Sequence, residues 1–276
     1  MNGLMAGKRG LIMGVANDHS IAWGIAKALS AAGAELAFTY QGEAFGRRVK
    51  PLAEEVGAKL LLPCDVEDEA SVDAVFAALK AAWGGLDFLV HAIGFSDKNE
   101  LKGRYADTTR ANFSRTMVIS VFSFTEVARK AAALMTEGGA LLTLTYGGST
   151  RVMPNYNVMG VAKAALESSV RYLAADFGGD GIRVNAISAG PVRTLAGSGV
   201  TDARLMFNYQ KKNAPLKRTV SIDEVGRSAL YLLSDLSSGV TGEVHFVDSG
   251  YSIMSMPCID ELKEQDRRES ADATRG

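Results

Sequence analysis

The stretch "RGLIMGVANDHSIAWG", residues 9–24, decides the fold class. Its opening segment has a continuous apolar centre, which is typical of a strand buried on both faces of a parallel sheet. A loop rich in glycine and polar residues follows, and a helical pattern over residues 21–32 then puts Trp23 and Leu29 on one apolar face. The stretch therefore predicts a strand, a loop and a helix, the repeating unit of an α/β fold.

The same alternation continues along the chain. The predicted strands cover residues 9–14, 34–40, 59–66, 86–94, 139–146, 181–188 and 242–250. Helical patterns separate them, and the longest, over residues 107–136, has an irregular entry. This order predicts a Rossmann-type doubly wound parallel sheet of about seven strands in a single domain, whose ligands bind outside the carboxyl ends of the strands.

Composition excludes several classes of function. The 276 residues are 47% hydrophobic and 22% charged with a net charge of −1, which leaves no basic excess for nucleic acid. The N-terminal apolar run is too short for a signal peptide or a membrane span. Cys64 and Cys258 lie far apart, so we expect no disulfide framework and a cytoplasmic location. The three histidines share no metal-ligand spacing, and no metal site is predicted.

The predicted domain organisation is simple. Residues 1–256 form one dinucleotide-binding catalytic domain, because no linker or repeat interrupts them. A glycine-rich loop and the apolar run "ARLMFNYQ" predict a substrate lid over about residues 191–215. Residues 257–276 are heavily charged without apolar periodicity, and we expect them to be disordered.

The loop after the first strand occupies the place of a dinucleotide-binding loop, although it is not G-x-G-x-x-G. Gly14 permits the tight turn, and Ser20 has the position of a helix N-cap. Backbone N–H groups at this helix start can receive a pyrophosphate, and Gly24 is expected to let the helix pack close to the sheet. The alternative is an ordinary strand-to-helix loop.

The next two strand ends carry polar residues. Gln41 can hydrogen-bond ribose hydroxyls without favouring a 2′-phosphate, and this favours NADH as the cofactor. Arg47 and Arg48 follow closely, so NADPH remains an alternative. Asp65 is either an acceptor for the adenine amino group or a helix-capping carboxylate, and Val66 offers an apolar wall.

The octapeptide "YNVMGVAK", residues 156–163, places a tyrosine seven positions before a lysine. At ~100° per residue, seven helical steps bring both side chains within ~20° of one face. They are too far apart to touch easily, so a ligand lying along the helix can contact both. The alternative is a pair of ordinary residues on a half-buried helix.

Over nearly its full length the chain resembles the bacterial NADH-dependent enoyl-acyl-carrier-protein reductases, a divergent branch of the short-chain dehydrogenase/reductases. The segments that carry the resemblance are "GVANDHSIAWG", "CDV", "HAIGF", "LLTLTY", "PNYNVMGVAKAALE", "RVNAISAGPVRTLA" and "GEVHFVDSG". The most specific is the Tyr-x6-Lys spacing with a further tyrosine, Tyr146, ten positions earlier. Ordinary members of the superfamily have Tyr-x3-Lys.

The resemblance implies reduction of trans-2-enoyl thioesters by NADH, the last step of bacterial fatty-acid elongation. It implies that Tyr156 is the catalytic tyrosine, that Lys163 holds the nicotinamide ribose, and that Tyr146 lines the acyl pocket with Phe95 and Ser96. The implied cofactor-binding residues are Gly14, Ser20, Ile21, Gln41, Asp65, Val66, Ile93, Lys163, Val192, Thr194 and Ala196. It also implies an acyl-carrier-protein partner and a homotetramer.

One departure concerns Gly147–Gly148, since the family more often has a bulkier residue directly after the first tyrosine. Two other functions remain as alternatives: a 3-ketoacyl or other carbonyl reductase, which needs an upstream serine that only the poorly matched Ser149 offers, and a non-catalytic NAD-binding protein. Basic residues that could receive an acidic carrier protein near the lid are Arg193, Arg204, Lys211, Lys212, Lys217 and Arg218.

Overall fold

The computed structural model describes residues 3–192 and 203–273, and a seven-stranded parallel sheet forms the centre of this part of the chain. The strands are β1 (Arg9–Met13), β2 (Glu35–Tyr40), β3 (Leu60–Pro63), β4 (Phe88–His91), β5 (Gly139–Thr145), β6 (Ile182–Ala189) and β7 (Val244–Val247). Their spatial order is β3-β2-β1-β4-β5-β6-β7, and every neighbouring pair runs parallel. The predicted fold class is confirmed.

Helices connect the strands. They are α1 (Ile21–Ala31), α2 (Gly42–Glu55), α3 (Glu69–Trp83), α4 (Arg110–Met117), α5 (Ser123–Ala132), α6 (Asn157–Phe177), α7 (Ala203–Asn213), α8 (Ile222–Leu233) and α9 (Ile259–Ala273). The entry that was expected to be irregular holds a 3₁₀ turn, Tyr105–Asp107, before α4 begins, and a π-helical turn, Val118–Phe122, joins α4 to α5. Among the described residues, no helix combines the length and the apolar character that crossing a membrane requires.

Each strand contributes side chains to two cores. Leu11 and Met13 on β1 pack with α3, α5 and α6 on one face, whereas Ile12 packs with α1, α2 and α8 on the other. Strand side chains alternate between faces and both faces are covered, so the strands read as continuous apolar runs. The strand order reverses at β1, between β2 and β4, and the loops that follow β1 and β4 open a crevice at the carboxyl edge.

The close approach at Gly24 is made to a helix rather than to the sheet, so that expectation was wrong. A Cβ at Gly24 would lie 2.4 Å from the carbonyl oxygen of Ile222, and a Cβ at Gly226 would lie 2.4 Å from that of Gly24. Helices α1 and α8 therefore cross at a pair of glycines. This contact fixes α1, whose first turn faces the crevice.

The chain after residue 257 also differs from the expectation of disorder, because α9 occupies Ile259–Ala273. Asp260 and Glu261, the acidic residues in its first turn, interact favourably with the helix dipole and stabilise the helix. The buried Asn213 holds the start of the segment: its Oδ1 accepts from the Cys258 backbone N–H at 2.6 Å, and its Nδ2 donates to Glu261 at 2.6 Å. A segment that is held by hydrogen bonds to a buried amide does not need a periodic pattern of apolar residues, so the sequence shows none.

Candidate active site

The loops after β1, β4, β5 and β6, together with α7, surround a cavity of about 1320 Å³. Its lining includes many of the predicted site residues: Gly14, Ile21, Ile93, Phe95, Ser96, Tyr146, Tyr156, Lys163 and Val192. Ser20, Gln41, Asp65 and Val66 do not line it. Thr194 and Ala196 lie outside the described residues, as does much of the predicted lid. The structure therefore brings most of the predicted site together at one sheet edge.

Tyr156 lies at the N-cap of α6 rather than inside the helix. Its neighbours Asn155 and Asn157 have φ values of 57° and 35°, and asparagine tolerates this left-handed region better than most residues. The Asn157 side chain donates to the carbonyl of Glu100 at 3.2 Å, which anchors the turn to the loop after β4. The seven-step helical phase expected for the tyrosine and the lysine consequently does not set the position of Tyr156.

The two tyrosines contact each other edge to face. The rings of Tyr146 and Tyr156 have centroids 5.2 Å apart and planes inclined at 71°. Burial raises the pKa of Tyr156 well above its usual value, and Tyr146 adds to that shift. Burial also raises the pKa of Tyr146, whose hydroxyl oxygen accepts a hydrogen bond from Gln210 Nε2 at 2.9 Å. Both phenols therefore keep their protons at neutral pH, and Tyr156 is a hydrogen-bond donor.

Glycines next to β5 and in α6 make room for the ring of Tyr156. A Cβ at Gly148 would lie 2.6 Å from Tyr156 Cδ1, and a Cβ at Gly160 would lie 2.7 Å from the Gly148 carbonyl oxygen. Among the described residues, a Cβ at Gly147 would meet only Met153 Cε, at 3.8 Å. The second glycine is thus required by the tyrosine, whereas the first leaves space for the bulkier residue that the resemblance led us to expect.

Lys163 is buried in α6, with 8% of its surface exposed. Its Nζ donates to the carbonyl of Leu144 at 2.8 Å, and burial lowers its pKa to about 8. The Glu167 carboxylate, one turn later, opposes this shift and itself accepts a 2.6 Å hydrogen bond from Thr145. A Cβ at Gly94 would lie 3.7 Å from Nζ, so a side chain there would occupy the space beside the ammonium. The lysine keeps further donors for a ligand in the cavity.

The loop after β1 is shaped by Ser20. Its Oγ accepts from the backbone N–H groups of Ala16 at 3.0 Å and Asn17 at 3.1 Å, and its side chain does not cap α1. Ile21 and Ala22, in the first turn of α1, line the cavity. The helix N-terminus therefore faces the cavity, which favours an anionic ligand group there.

The predicted site residues at the ends of β2 and β3 lie outside the lining of the main cavity. Gln41 is exposed at the start of α2. Asp65 accepts from the Glu67 backbone N–H at 3.0 Å and so stabilises a turn, while the N-cap of α3 is Asp68. Val66 is buried in the core. Of the two roles considered for Asp65, helix capping therefore belongs to Asp68, and the adenine role stays a prediction.

The loop after β4 is held by residues that the sequence did not single out. Ser120, in the π-helical turn, accepts from the Phe95 backbone N–H at 3.0 Å and donates to its carbonyl at 3.1 Å. Ser96 receives hydrogen bonds from Asn112 at 3.1 Å and Thr116 at 3.0 Å. Ser120, Asn112 and Thr116 lie within the predicted long helix and belong to no motif, so no sequence signal identified them. Other lining residues that sequence reasoning missed are His19, Lys98, Leu101, Met153 and Met159.

Comparison with known proteins gives one consistent result. A family model described as "Enoyl-(Acyl carrier protein) reductase" matches residues 14–252. The chain is 76% identical to "Enoyl-[acyl-carrier-protein] reductase [NADH] 2" of Rhizobium meliloti, over 96% of this chain and 99% of that protein. Among solved structures, FabI from Candidatus Liberibacter asiaticus is 62% identical with a TM-score of 0.92, covering 94% of this chain and 100% of that one. The reductase of Anaplasma phagocytophilum, solved in complex with NAD, is 59% identical with a TM-score of 0.91, covering 94% and 99%.

Proposed function

The chain belongs to the enoyl-acyl-carrier-protein reductases, and we propose that Tyr156, Tyr146 and Lys163 are the residues that perform the reaction of that family here. The enzyme reduces the trans-2 double bond of enoyl thioesters with NADH, the last step of the bacterial fatty-acid elongation cycle. The observation that supports the residue assignment is the convergence of the three side chains on one cavity from two different elements, the end of β5 and the start of α6.

The residues around the cavity fit a dinucleotide. Its volume of about 1320 Å³ exceeds the ~300–1,000 Å³ of ordinary small-molecule pockets, which leaves room for an acyl substrate as well. We assign the pyrophosphate to the first turn of α1 and a ribose to Lys163. The further cofactor contacts that we propose are Gly14, Ser20, Ile21, Gln41, Asp65, Val66, Ile93, Val192, Thr194 and Ala196. NADH, when bound, supplies the hydride.

The chain's own contribution is electrostatic. Negative charge builds on the thioester oxygen during the reduction, and a preorganised donor aimed at that oxygen lowers the barrier by about 3 kcal/mol. The neutral phenol of Tyr156 is that donor, since burial holds its pKa well above neutral pH. Tyr146 packs against its ring, and we propose that Phe95 and Ser96 complete the substrate side of the cavity. The Lys163 ammonium adds positive potential to the same region.

The test is a matched pair of tyrosine substitutions. Tyr156→Phe is expected to lower kcat for crotonyl-CoA reduction, followed by NADH absorbance, by about 10² to 10³, as for other lost oxyanion donors. Tyr172→Phe is the control, because this tyrosine lies on the same helix and is 73% exposed. An unchanged kcat in Tyr156→Phe would contradict the role of Tyr156 as the hydrogen-bond donor. Turnover of acetoacetyl-CoA instead of crotonyl-CoA would favour the carbonyl-reductase alternative.

The substrate arrives on acyl-carrier protein, and we propose that Arg204 and Lys211 on α7 receive this acidic partner. Arg204 lines the cavity and both residues are exposed. Two other candidates are already paired within the chain: Lys212 with Glu264 at 3.5 Å, and Arg218 with Glu224, at 2.7 Å. Lys211→Glu, at a position outside the cavity lining, is expected to raise KM for the carrier-bound substrate several-fold without changing KM for the CoA thioester. Equal effects on both substrates would contradict this surface.

We also propose a cytoplasmic homotetramer whose catalytic domain spans residues 1–256. Two separate apolar surfaces support the assembly. Phe122, beside α5, is 58% exposed, and Leu236 and Phe246, near the edge strand β7, are 61% and 45% exposed. Large apolar side chains that stay exposed beside a helix and at an edge strand are available to pack against another subunit. Light scattering after size-exclusion chromatography measures the assembly, and a monomeric mass would contradict it.

A further inference from the structure

We propose that Gln210 is a positioning residue for Tyr146, and that the C-terminal helix α9 fixes Gln210 through Asn213. The inference rests on the proposed role of the two tyrosines and assigns to the C-terminal segment a part in active-site geometry. It begins from one contact: Gln210 Nε2 donates to the Tyr146 hydroxyl oxygen at 2.9 Å, and Gln210 is 5% exposed.

The direction of this hydrogen bond has a chemical consequence. A tyrosine hydroxyl both donates and accepts, and the amide of Gln210 uses its accepting capacity. Among the described residues the Tyr146 hydroxyl proton has no acceptor, and the hydrogen bond from Gln210 fixes the position of the hydroxyl end of the ring. Because the two rings meet edge to face at 5.2 Å, a displacement of Tyr146 changes the surface against which the donor Tyr156 packs. Gln210 therefore affects the position of the Tyr156 ring indirectly, through Tyr146.

Helix α7 connects this contact to the end of the chain. Met206 and Phe207 in its first half line the cavity, whereas Asn213 at its C-terminal end is buried, with 1% exposed. Asn213 lies three residues after Gln210, and positions three apart are neighbours on a helix surface. A shift of Asn213 thus moves Gln210 with it.

Both ends of the Asn213 amide are engaged by the C-terminal segment. Oδ1 accepts from the Cys258 backbone N–H at 2.6 Å, and Nδ2 donates to Glu261 Oε2 at 2.6 Å and to the carbonyl of Tyr209 at 3.0 Å. Lys212 adds an ion pair to Glu261 at 3.8 Å. A buried amide whose donors and acceptor are all matched is specific in geometry, and leaving one of its partners unpaired is costly. The first turn of α9 is therefore a clasp on α7.

The link between Gln210 and Tyr146 is tested by a double-mutant cycle. Gln210→Leu keeps the volume and removes the donor, and it is expected to lower kcat for crotonyl-CoA about five- to tenfold, the effect of one neutral hydrogen bond. The Kd for NADH is expected to be unchanged. In a Tyr146→Phe background the same substitution is expected to have no further effect, because its partner is already absent. If Gln210→Leu lowers kcat by the same factor in the Tyr146→Phe background as in the unmodified enzyme, the link between Gln210 and Tyr146 is overturned.

The clasp is tested by reversing a hydrogen bond. Asn213→Asp still accepts from Cys258 but opposes a carboxylate to Glu261, and it is expected to lower kcat about as much as Gln210→Leu does. Adding Glu261→Gln supplies a donor to the new carboxylate and is expected to restore part of the lost kcat, since the Tyr209 carbonyl remains without the side-chain donor. Lys263→Ala, an exposed position of the same helix, is the control. A double variant no more active than Asn213→Asp, or a fully active Asn213→Asp, would overturn the clasp.

Failure of this inference is distinguishable from failure of the proposed function. If Tyr156→Phe abolishes enoyl reduction while Gln210→Leu and Asn213→Asp do not lower it, the tyrosine assignment stands and the positioning role is overturned. If Tyr156→Phe and Tyr146→Phe both leave kcat unchanged, the tyrosine assignment fails, and the positioning role fails with it. Melting temperatures of all variants separate a lost fold from a displaced side chain.

Discussion

Substitution of Gly148 tests the placement of Tyr156 without touching the tyrosine itself. A Cβ built at Gly148 lies 2.6 Å from Tyr156 Cδ1 and 2.8 Å from Cε1, whereas ordinary contact begins near 3.4 Å. The ring must therefore move by about 0.8 Å in Gly148→Ala. It cannot move freely, because the ring of Tyr146 contacts it in an edge-to-face arrangement. A misplacement of about 1 Å costs up to ~10²-fold in rate, so we expect kcat to fall ten- to a hundredfold.

The neighbouring glycine provides the control. Within the part of the chain that the structure describes, a Cβ at Gly147 meets only Met153 Cε, at 3.8 Å, so Gly147→Ala is expected to keep kcat within about threefold of the unmodified enzyme. The assay is crotonyl-CoA reduction at saturating NADH, with NADH affinity measured separately by fluorescence. Both variants are expected to bind NADH normally, since Lys163 is anchored at Leu144. Equal kcat values for the two variants would refute the constraint on the ring.

Three further predictions concern the cofactor and the fold. Burial lowers the pKa of Lys163 to about 8, so its ammonium is present below that pH, and the NADH affinity of the free enzyme should fall as pH rises through about 8. Glu167→Gln removes the carboxylate that raises this pKa and should move the fall in affinity to lower pH. An NADH affinity that does not depend on pH would contradict a charged contact. Gln41 should make kcat/KM higher with NADH than with NADPH, and the reverse preference would reject its ribose role. Gly24→Ala should lower the free energy of unfolding by about 3 kcal/mol, because its Cβ would lie 2.4 Å from a carbonyl oxygen of α8. Gly178→Ala is the control and should change it little, since no described atom lies within 4 Å of a Cβ there. Denaturant titration measures both variants, and similar values would contradict the helix contact.

The sheet was predictable because its signal is local. Strands buried on both faces must be apolar at nearly every position, so runs such as "GLIM" and "ALLTLT" identify β1 and β5 without knowledge of their partners. The location of the site followed from the rule that ligands bind at the carboxyl ends of parallel strands. Gly14, Tyr146 and Val192 could thus be placed on one edge from the order of elements alone.

Contacts between distant segments could not be predicted in this way. Gln210 and Tyr146 are 64 residues apart, and Asn213 and Glu261 are 48 apart, so neither pair belongs to a periodic pattern. The helix at the C-terminus was missed for the same reason, since one buried amide, rather than an apolar stripe, docks its first turn. Gly24 was assigned correctly as a close-contact glycine, but only the packing of α8 identifies the partner.

The spacing of tyrosine and lysine illustrates how a correct assignment can rest on an incomplete reason. Helical phase requires both residues to lie within α6, yet Tyr156 precedes it between Asn155 and Asn157, whose φ values are positive. The tyrosine is therefore positioned by the loop after β5, through Gly148, while Lys163 is positioned by α6 and by the carbonyl of Leu144. Because different segments position the two side chains, substitutions can change them separately. A substitution in the loop after β5 changes the position of the donor to the thioester, and a substitution in α6 changes the binding of the cofactor.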